Sequence, residues 1–168
     1  LGAHFAGTQG MRVPGCMDGY EVALRAIVGQ QVTVAAGRTL VQRIADVYGL
    51  PIATPYPELS RLFPMPTALA QATPDALGAL GIVKQRQAAI IALSRAVDSG
   101  VLNLNTPANV LATIEQLKTL PGIGDWTAQY IAMRALRWPD AFPAGDVALH
   151  NALGVRGEKH PARAAEAA

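Results

Sequence analysis

Cysteine is almost absent from this sequence: Cys16 is the only one among 168 residues. A single thiol excludes an internal disulfide, a zinc site built from cysteines and an iron–sulfur cluster. Long apolar runs are missing too, because no stretch approaches the roughly 18 residues that a transmembrane helix needs. No signal peptide is recognisable either. We therefore expect a protein without a membrane segment or an export signal.

Charged and aromatic residues are also scarce. They make up 15% and 5% of the chain, whereas hydrophobic residues make up 51%. This balance predicts a compact folded domain rather than a disordered segment. The net charge of +2 and the pI near 8.9 are compatible with nucleic-acid binding. They do not by themselves indicate it, since a large basic patch is the stronger sign.

Strand signals are nearly missing. Only residues 101–104 alternate weakly between apolar and polar types, and a lone strand is not stable. Helix start signals, in contrast, recur along the whole chain as polar N-caps and as threonine–proline pairs. The sequence therefore predicts an all-α fold of about eight or nine short helices. The expected starts lie near Asp18, Thr33, Thr67, Thr73, Lys84 and Thr106.

Two of these helices have recognisable apolar faces, which we expect to point into the core. The helix over 33–48 places on one stripe Val34, Leu40, Val41, Ile44 and Val47. The helix over 84–99 directs inward Ala88, Ile91, Leu93 and Val97.

The segment LPGIG at 120–124 joins two helical patterns. Gly122 and Gly124 permit positive φ and the close approach of another backbone. Gly124 and Asp125 open the next helix, whose first amides lack partners and, with the helix dipole, form an anion site suited to a nucleic-acid phosphate. Thr127 adds a hydroxyl just inside that helix. The alternative is an ordinary turn between two helices.

Asp146 follows Phe142-Pro143-Ala144-Gly145 and precedes an apolar-faced helix. The simplest role for it is an N-cap. A helix N-terminus also favours the ionised carboxylate, which could stabilise a developing positive charge or activate water. Asp125 and Asp140 are the competing acids, at a helix start and in a turn. We interpret His150, one turn after Asp146, as a surface or phosphate-facing residue.

Trp126 and Tyr130 are four residues apart, so they share one helix face. Such a pair could stack on an extruded base, preferentially a cationic one. Core packing is the alternative role. We expect their helix to continue to Arg137.

Four stretches together resemble one known family. LPGIGDWTAQYIAMRAL and FPAGD look like the two signatures of the helix-hairpin-helix (HhH-GPD) superfamily of base-excision DNA glycosylases. RVPGCMDGYEVALRAIVGQQVTVAAGRTL and LGALGIVKQRQAAI are similar to the 3-methyladenine-DNA glycosylase II branch. The resemblance implies a two-lobed helical bundle with a DNA-binding cleft between the lobes.

The resemblance also implies a division of the chain. Residues 1–17 would be a lead-in from an N-terminal β-domain that this chain does not contain, and 18–168 the glycosylase domain. Within it we expect a central lobe over 33–120, the hairpin over 117–137, and a second lobe over 138–168 together with 18–32. We expect the last helix to be truncated.

Site residues follow from the same resemblance, position by position. Asp146 matches the catalytic aspartate, and Trp126 and Tyr130 match aromatics of the base pocket. The DNA contacts would be Gly122, Gly124, Thr127, Gln30 and Gln31. The bacterial branch has a leucine wedge at the position of Gln31, so this chain departs from the pattern there. Trp126 stands where bifunctional relatives carry a Schiff-base lysine, which implies a monofunctional enzyme.

The family's hairpin binds a monovalent cation, Na⁺ or K⁺, through backbone carbonyls, here those of Lys118, Leu120 and Ile123. No cofactor is expected for the chemistry. The resemblance thus predicts a monomeric, bacterial-type, cytoplasmic and nucleoid-associated enzyme that removes alkylated purines such as 3-methyladenine from duplex DNA. The alternatives are a non-catalytic helix-hairpin-helix module that binds DNA or senses damage, and a purely structural helical domain.

Overall fold

The computed structural model describes residues 13–105 and 109–167. Over these residues the chain is helical, without strands apart from an isolated bridge between Pro51 and Arg61. The all-α prediction is therefore confirmed. The helices are α1 (Gly19–Val28), α2 (Val34–Tyr48), α3 (Pro66–Ala70), α4 (Pro74–Ala79), α5 (Lys84–Asp98), α6 (Val110–Thr119), α7 (Asp125–Arg134), α8 (Val147–Ala152) and α9 (Pro161–Ala167).

Most of the predicted helix starts are correct, because they depend on local capping. The Asp18 carboxylate accepts the Glu21 amide at 2.9 Å and begins α1. The hydroxyls of Thr33 and Thr73 accept the amides three residues ahead, each at 3.2 Å, and begin α2 and α4. Each cap satisfies an amide that the first helical turn leaves without a partner.

Two predicted boundaries are wrong. Thr67 does not cap α3 but lies inside it, after Met65, and its hydroxyl donates to the Asp98 carboxylate at 2.7 Å. Helix α7 ends at Arg134 and not at Arg137, whose φ of 55° is incompatible with a continuing right-handed helix. The Thr106–Pro107 start lies outside the described residues. Helix α6 begins after Asn109, whose side chain accepts the Ala112 amide at 3.1 Å.

The apolar faces are narrower than predicted. Leu40, Val41 and Ile44 of α2 are buried, but Val34 and Val47 are 73% and 60% exposed. The reason is that α2 packs mainly on one neighbour, α1. In α5 the inward alanine is Ala89 and not Ala88, which is exposed.

Helix α1 lies at the centre of the packing, against α2, α5 and α7. Its Leu24 and Ile27 are fully buried with Ile90 of α5 and Ile131 of α7. Full burial of each such side chain contributes about 1.5–3 kcal/mol. Helix α6 packs on α7, α3 and α4 pack on α5, and α8 packs on α9. Contact with α1 therefore anchors α7, which bears the aromatic pair, in the core. The proposed division into two lobes stays a prediction.

Candidate active site and DNA interface

In the hairpin between α6 and α7, the backbone conformation and the packing of the turn require glycine at position 122. Gly122 has a φ of +76°, which L-residues adopt only under strain. A Cβ there would also lie 3.2 Å from the Cβ of Ala89 in α5. Gly122 therefore lets the turn reverse direction while packed against α5.

Gly124 is different, because nothing within the chain requires it to be glycine. Its φ of −90° suits any residue, and a Cβ added there would meet nothing within 4 Å. It is the N-cap of α7 and makes no side-chain cap. Within the described part of the chain, the amides of Gly124, Asp125 and Trp126 have no hydrogen-bond acceptor. The open space beside these amides can accommodate an anion.

Two residues predicted to contact DNA, Gln30 and Thr127, contact each other. Thr127 is 4% exposed, and its hydroxyl accepts a hydrogen bond from the Gln30 side chain at 3.0 Å. The same Gln30 amide donates to the Gly122 carbonyl at 3.0 Å. Burial conflicts with the predicted role of Thr127 as a free hydroxyl for a phosphate. Gln31, the next residue, is exposed and has a φ of 53°.

The aromatic pair occupies one face of α7, as its spacing predicts. The rings of Trp126 and Tyr130 are stacked, with centroids 5.4 Å apart and planes 9° from parallel. Both side chains are half-buried. A base cannot enter between two rings this close together, so any stacked base would lie on an outer face of the pair.

The Asp146 carboxylate is held by three donors. Its Oδ2 accepts the Trp126 indole N–H at 2.8 Å, while its Oδ1 accepts the amides of Ala148 and Leu149 at 2.8 and 3.1 Å. Burial raises the pKa of Asp146, but these hydrogen bonds and the nearby His150 outweigh burial and lower the pKa below its ordinary value. The group is therefore ionised at neutral pH and fixed in orientation beside the aromatic pair.

The loop before Asp146 is fastened by two side chains that the sequence did not reveal. Gln129 of α7 accepts the Phe142 amide at 3.2 Å, and His150 Nε2 lies 2.6 Å from the Ala144 carbonyl. His150 is 8% exposed, so its interpretation as a surface residue is wrong. It donates its Nε2 proton to that carbonyl. Its burial against the loop could have been predicted from the sequence, because His150 lies one turn after Asp146 and therefore on the same side of α8.

The competing acids lack such surroundings. Asp125 is exposed and pairs with Lys118 at 3.6 Å, and Asp140 lies in an exposed turn. Across the described residues, no group of His, Cys, Asp and Glu side chains could hold a metal ion. None of the described helices is long and apolar enough to cross a membrane.

The family model described as "HhH-GPD superfamily base excision DNA repair protein" matches residues 24–162, which include the hairpin, the aromatic pair and Asp146. The chain belongs to the HhH-GPD superfamily. Among curated members, DNA-3-methyladenine glycosylase 2 of Escherichia coli K12 is 42% identical over 146 residues, which are 87% of this chain and 51% of that protein. The chain thus spans about half the length of this relative.

Solved structures of HhH-GPD glycosylases share the fold. The 3-methyladenine DNA-glycosylase of Archaeoglobus fulgidus superposes with a TM-score of 0.75 at 23% identity, over 99% of this chain and 56% of that one. The apo 8-oxoguanine glycosylase/lyase of Clostridium acetobutylicum superposes with a TM-score of 0.72 at 19% identity, over 89% and 53%. At these identities the likeness concerns the fold alone. The predicted fold class and family are thereby confirmed.

Proposed function

We propose that this chain is the catalytic region of a DNA N-glycosylase that releases alkylated, cationic purines such as 3-methyladenine from duplex DNA. The observation that carries the proposal is the Asp146 carboxylate, which Trp126 and the α8 amides hold ionised beside a stacked aromatic pair. The similarity to a relative named DNA-3-methyladenine glycosylase 2 supports the substrate class.

The proposed reaction needs little acid catalysis at the base, because the base is already a good leaving group. A methylated purine carries positive charge, so breaking the bond between its nitrogen and C1′ returns an electron pair to the base and neutralises it. The sugar then becomes oxocarbenium-like, and the fixed Asp146 carboxylate stabilises this developing charge. A water oxygen bonds to C1′ and loses a proton, which Asp146 can accept. The products are the free base and an abasic site.

The proposed DNA-binding mode uses the hairpin, the Gln31 loop that adjoins it and the aromatic face of α7. The free amides at Gly124 and Asp125 hold a backbone phosphate without reading sequence. The exposed Gln31 enters the duplex where the base has left. The base stacks on an outer face of the Trp126–Tyr130 pair, where a cationic ring gains most from an electron-rich neighbour.

We further propose that the enzyme has no lyase activity. Lyase chemistry needs an unprotonated amine near C1′. Beside Asp146 stands Trp126, which has none. The hairpin's Lys118 pairs with Glu115 at 3.1 Å, and this hydrogen bond, together with the charges of Glu115 and Asp125, raises the pKa of Lys118. It therefore stays protonated and is a poor nucleophile.

A monovalent cation fits the hairpin in this proposal. The carbonyl of Gly122 accepts from Gln30. Among the residues that the structure describes, the carbonyl of Leu120 accepts the Ile123 amide alone, at 3.2 Å, and keeps a second lone pair. Na⁺ or K⁺ would be held by the carbonyls of Lys118, Leu120 and Ile123. It would supply positive charge toward the phosphate. We propose that the protein works as a monomer on DNA in the bacterial nucleoid, without another cofactor.

Asp146→Asn tests the proposal. Asparagine also caps helices, but its NH2 group cannot accept the hydrogen bond that the second carboxylate oxygen accepts, so the free energy of unfolding should fall by about 1–3 kcal/mol. Base release from methylated duplex DNA should fall by about a hundredfold or more, while affinity for the DNA stays within about twofold. Asp140→Asn, in an exposed turn, is the matched control and should keep full activity. If the unmodified chain binds DNA and releases no base, the non-catalytic binding module is the better description.

A further inference from the structure

The loop over residues 29–33, between α1 and α2, holds its exposed residue in an unusual conformation. Gln31 has a φ of 53°, and within the described residues Arg137 is the only other non-glycine residue with positive φ. Such backbone is disfavoured for a residue with a Cβ, and it persists only where the surroundings fix it. The fold therefore provides something that holds this loop in place.

The Gln30 side chain is one part of that support. A carboxamide nitrogen has two protons to donate. Gln30 Nε2 uses them on the Gly122 carbonyl and the Thr127 hydroxyl, each at 3.0 Å. Both acceptors belong to the hairpin and the first turn of α7. The amide is half-buried, so these bonds are shielded from competing water.

The Gln30 backbone is the other part. The Arg86 guanidinium, from the first turn of α5, donates to the Gln30 carbonyl. The hairpin rests on the same helix, because Gly122 packs against Ala89. The loop, the hairpin and α5 thus meet at Gln30. The exposed side chain of Gln31 starts one residue beyond this junction.

We propose that Gln30 is a positioning residue that fixes Gln31 relative to the free amides of the hairpin. The inference rests on the proposed function, in which Gln31 enters the duplex and the hairpin holds a phosphate. A rigid connection sets the distance between the two contacts before DNA arrives, so insertion requires no further ordering of the loop. Gln30 then acts on base extrusion through Gln31, without touching DNA itself.

A double-mutant cycle tests this coupling in the 168-residue chain. Extrusion is followed with a duplex in which 2-aminopurine takes the place of the damaged base, because its fluorescence rises when it leaves the stack. Gln30→Ala and Gln31→Ala should each lower the fluorescence rise and the single-turnover rate of base release from methylated DNA by roughly tenfold. The double variant should equal Gln31→Ala alone. Affinity for undamaged duplex should stay within about twofold.

Gln42→Ala is the matched control, since the one partner of that glutamine among residues 13–105 and 109–167 is Asp46, on the exposed side of α2. Multiplicative effects in the double variant, or a Gln30→Ala variant as active as the unmodified chain, would overturn the inference. Loss of fluorescence and base release in the unmodified chain would instead refute the proposed function.

Two variants of Thr127 test the same coupling if Gln30→Ala fails to fold. Thr127→Ser keeps the hydroxyl that Gln30 needs and should retain extrusion. Thr127→Val keeps the shape without the hydroxyl and should lose extrusion several-fold. Equal activity of these two variants would overturn the inference as well.

Discussion

The Trp126 indole donates from Nε1 to Oδ2 of Asp146 across 2.8 Å, while its ring stacks on Tyr130. One side chain therefore belongs both to the stacking surface and to the support of the acid. In the proposed complex, a single residue of α7 would therefore set the distance between the stacked base and the carboxylate. Of the donors to Asp146, only this one comes from outside α8.

Trp126→Phe separates these two roles, because phenylalanine keeps an aromatic face and removes the N–H. Burial raises the pKa of Asp146, and the indole hydrogen bond contributes most to lowering it, so loss of that bond should raise the pKa. In the proposed mechanism the ionised carboxylate is the active form, so the acidic limb of the pH–rate profile should move to higher pH. At neutral pH base release should fall about tenfold, as expected for losing a hydrogen bond to a charged group.

The same change predicts a shift in stability. A carboxyl group whose pKa is lowered by folding stabilises the protein above its unfolded pKa and loses that contribution as pH falls through the folded pKa. In Trp126→Phe the loss should still begin at the unfolded pKa, but it should be smaller and complete at a higher pH than in the unmodified chain, as measured by urea unfolding between neutral and acidic pH. Trp138→Phe, at the edge of the core, is the control. An unshifted acidic limb in Trp126→Phe contradicts the assigned role of the indole.

How far the sequence predicts this molecule depends on the range of each interaction. The Asp18, Thr33, Thr73 and Asp146 caps are correct because donor and acceptor lie within three residues. The family signatures likewise locate the hairpin between α6 and α7, whereas the catalytic role that they imply for Asp146 stays a prediction. The bond from Gln30 to Gly122 spans 92 residues, and no local pattern encodes it.

The burial of individual side chains is the other property that the sequence does not predict. The apolar stripe of α2 is correct in its centre and wrong at Val34 and Val47, because helix periodicity does not tell how many neighbours a helix has. His150 and Thr127 look like surface residues by type. Their burial follows from partners on other segments, the Ala144 carbonyl and the Gln30 amide.

The two hairpin glycines should respond differently to alanine. Gly122→Ala places a Cβ on left-handed backbone and 3.2 Å from Ala89, so it should lower the free energy of unfolding by about 1–2 kcal/mol. Gly124→Ala meets no atom and has a permitted φ, so stability should change by less than about 0.5 kcal/mol.

Gly124→Ala should nevertheless weaken binding to undamaged duplex DNA by about tenfold, because its methyl group occupies the space beside the free amides where a phosphate would bind. Urea unfolding and fluorescence anisotropy measure the two effects. Gly157→Ala, also exposed and free of contacts, is the matched control and should change neither. Unaltered DNA affinity in Gly124→Ala contradicts the phosphate site.

The proposed absence of lyase activity predicts that no covalent complex forms with DNA. The chain has three lysines, Lys84, Lys118 and Lys159, and the pairing with Glu115 and Asp125 keeps Lys118 protonated. Incubation with methylated duplex and sodium borohydride should therefore yield no trapped protein–DNA adduct, and strands should break only after alkali treatment. The 8-oxoguanine glycosylase/lyase of Clostridium acetobutylicum, incubated with DNA that contains 8-oxoguanine, is the positive control. An adduct that forms with the unmodified chain and disappears in Lys118→Arg would show that this lysine reaches C1′ as a free amine, and would make the enzyme bifunctional.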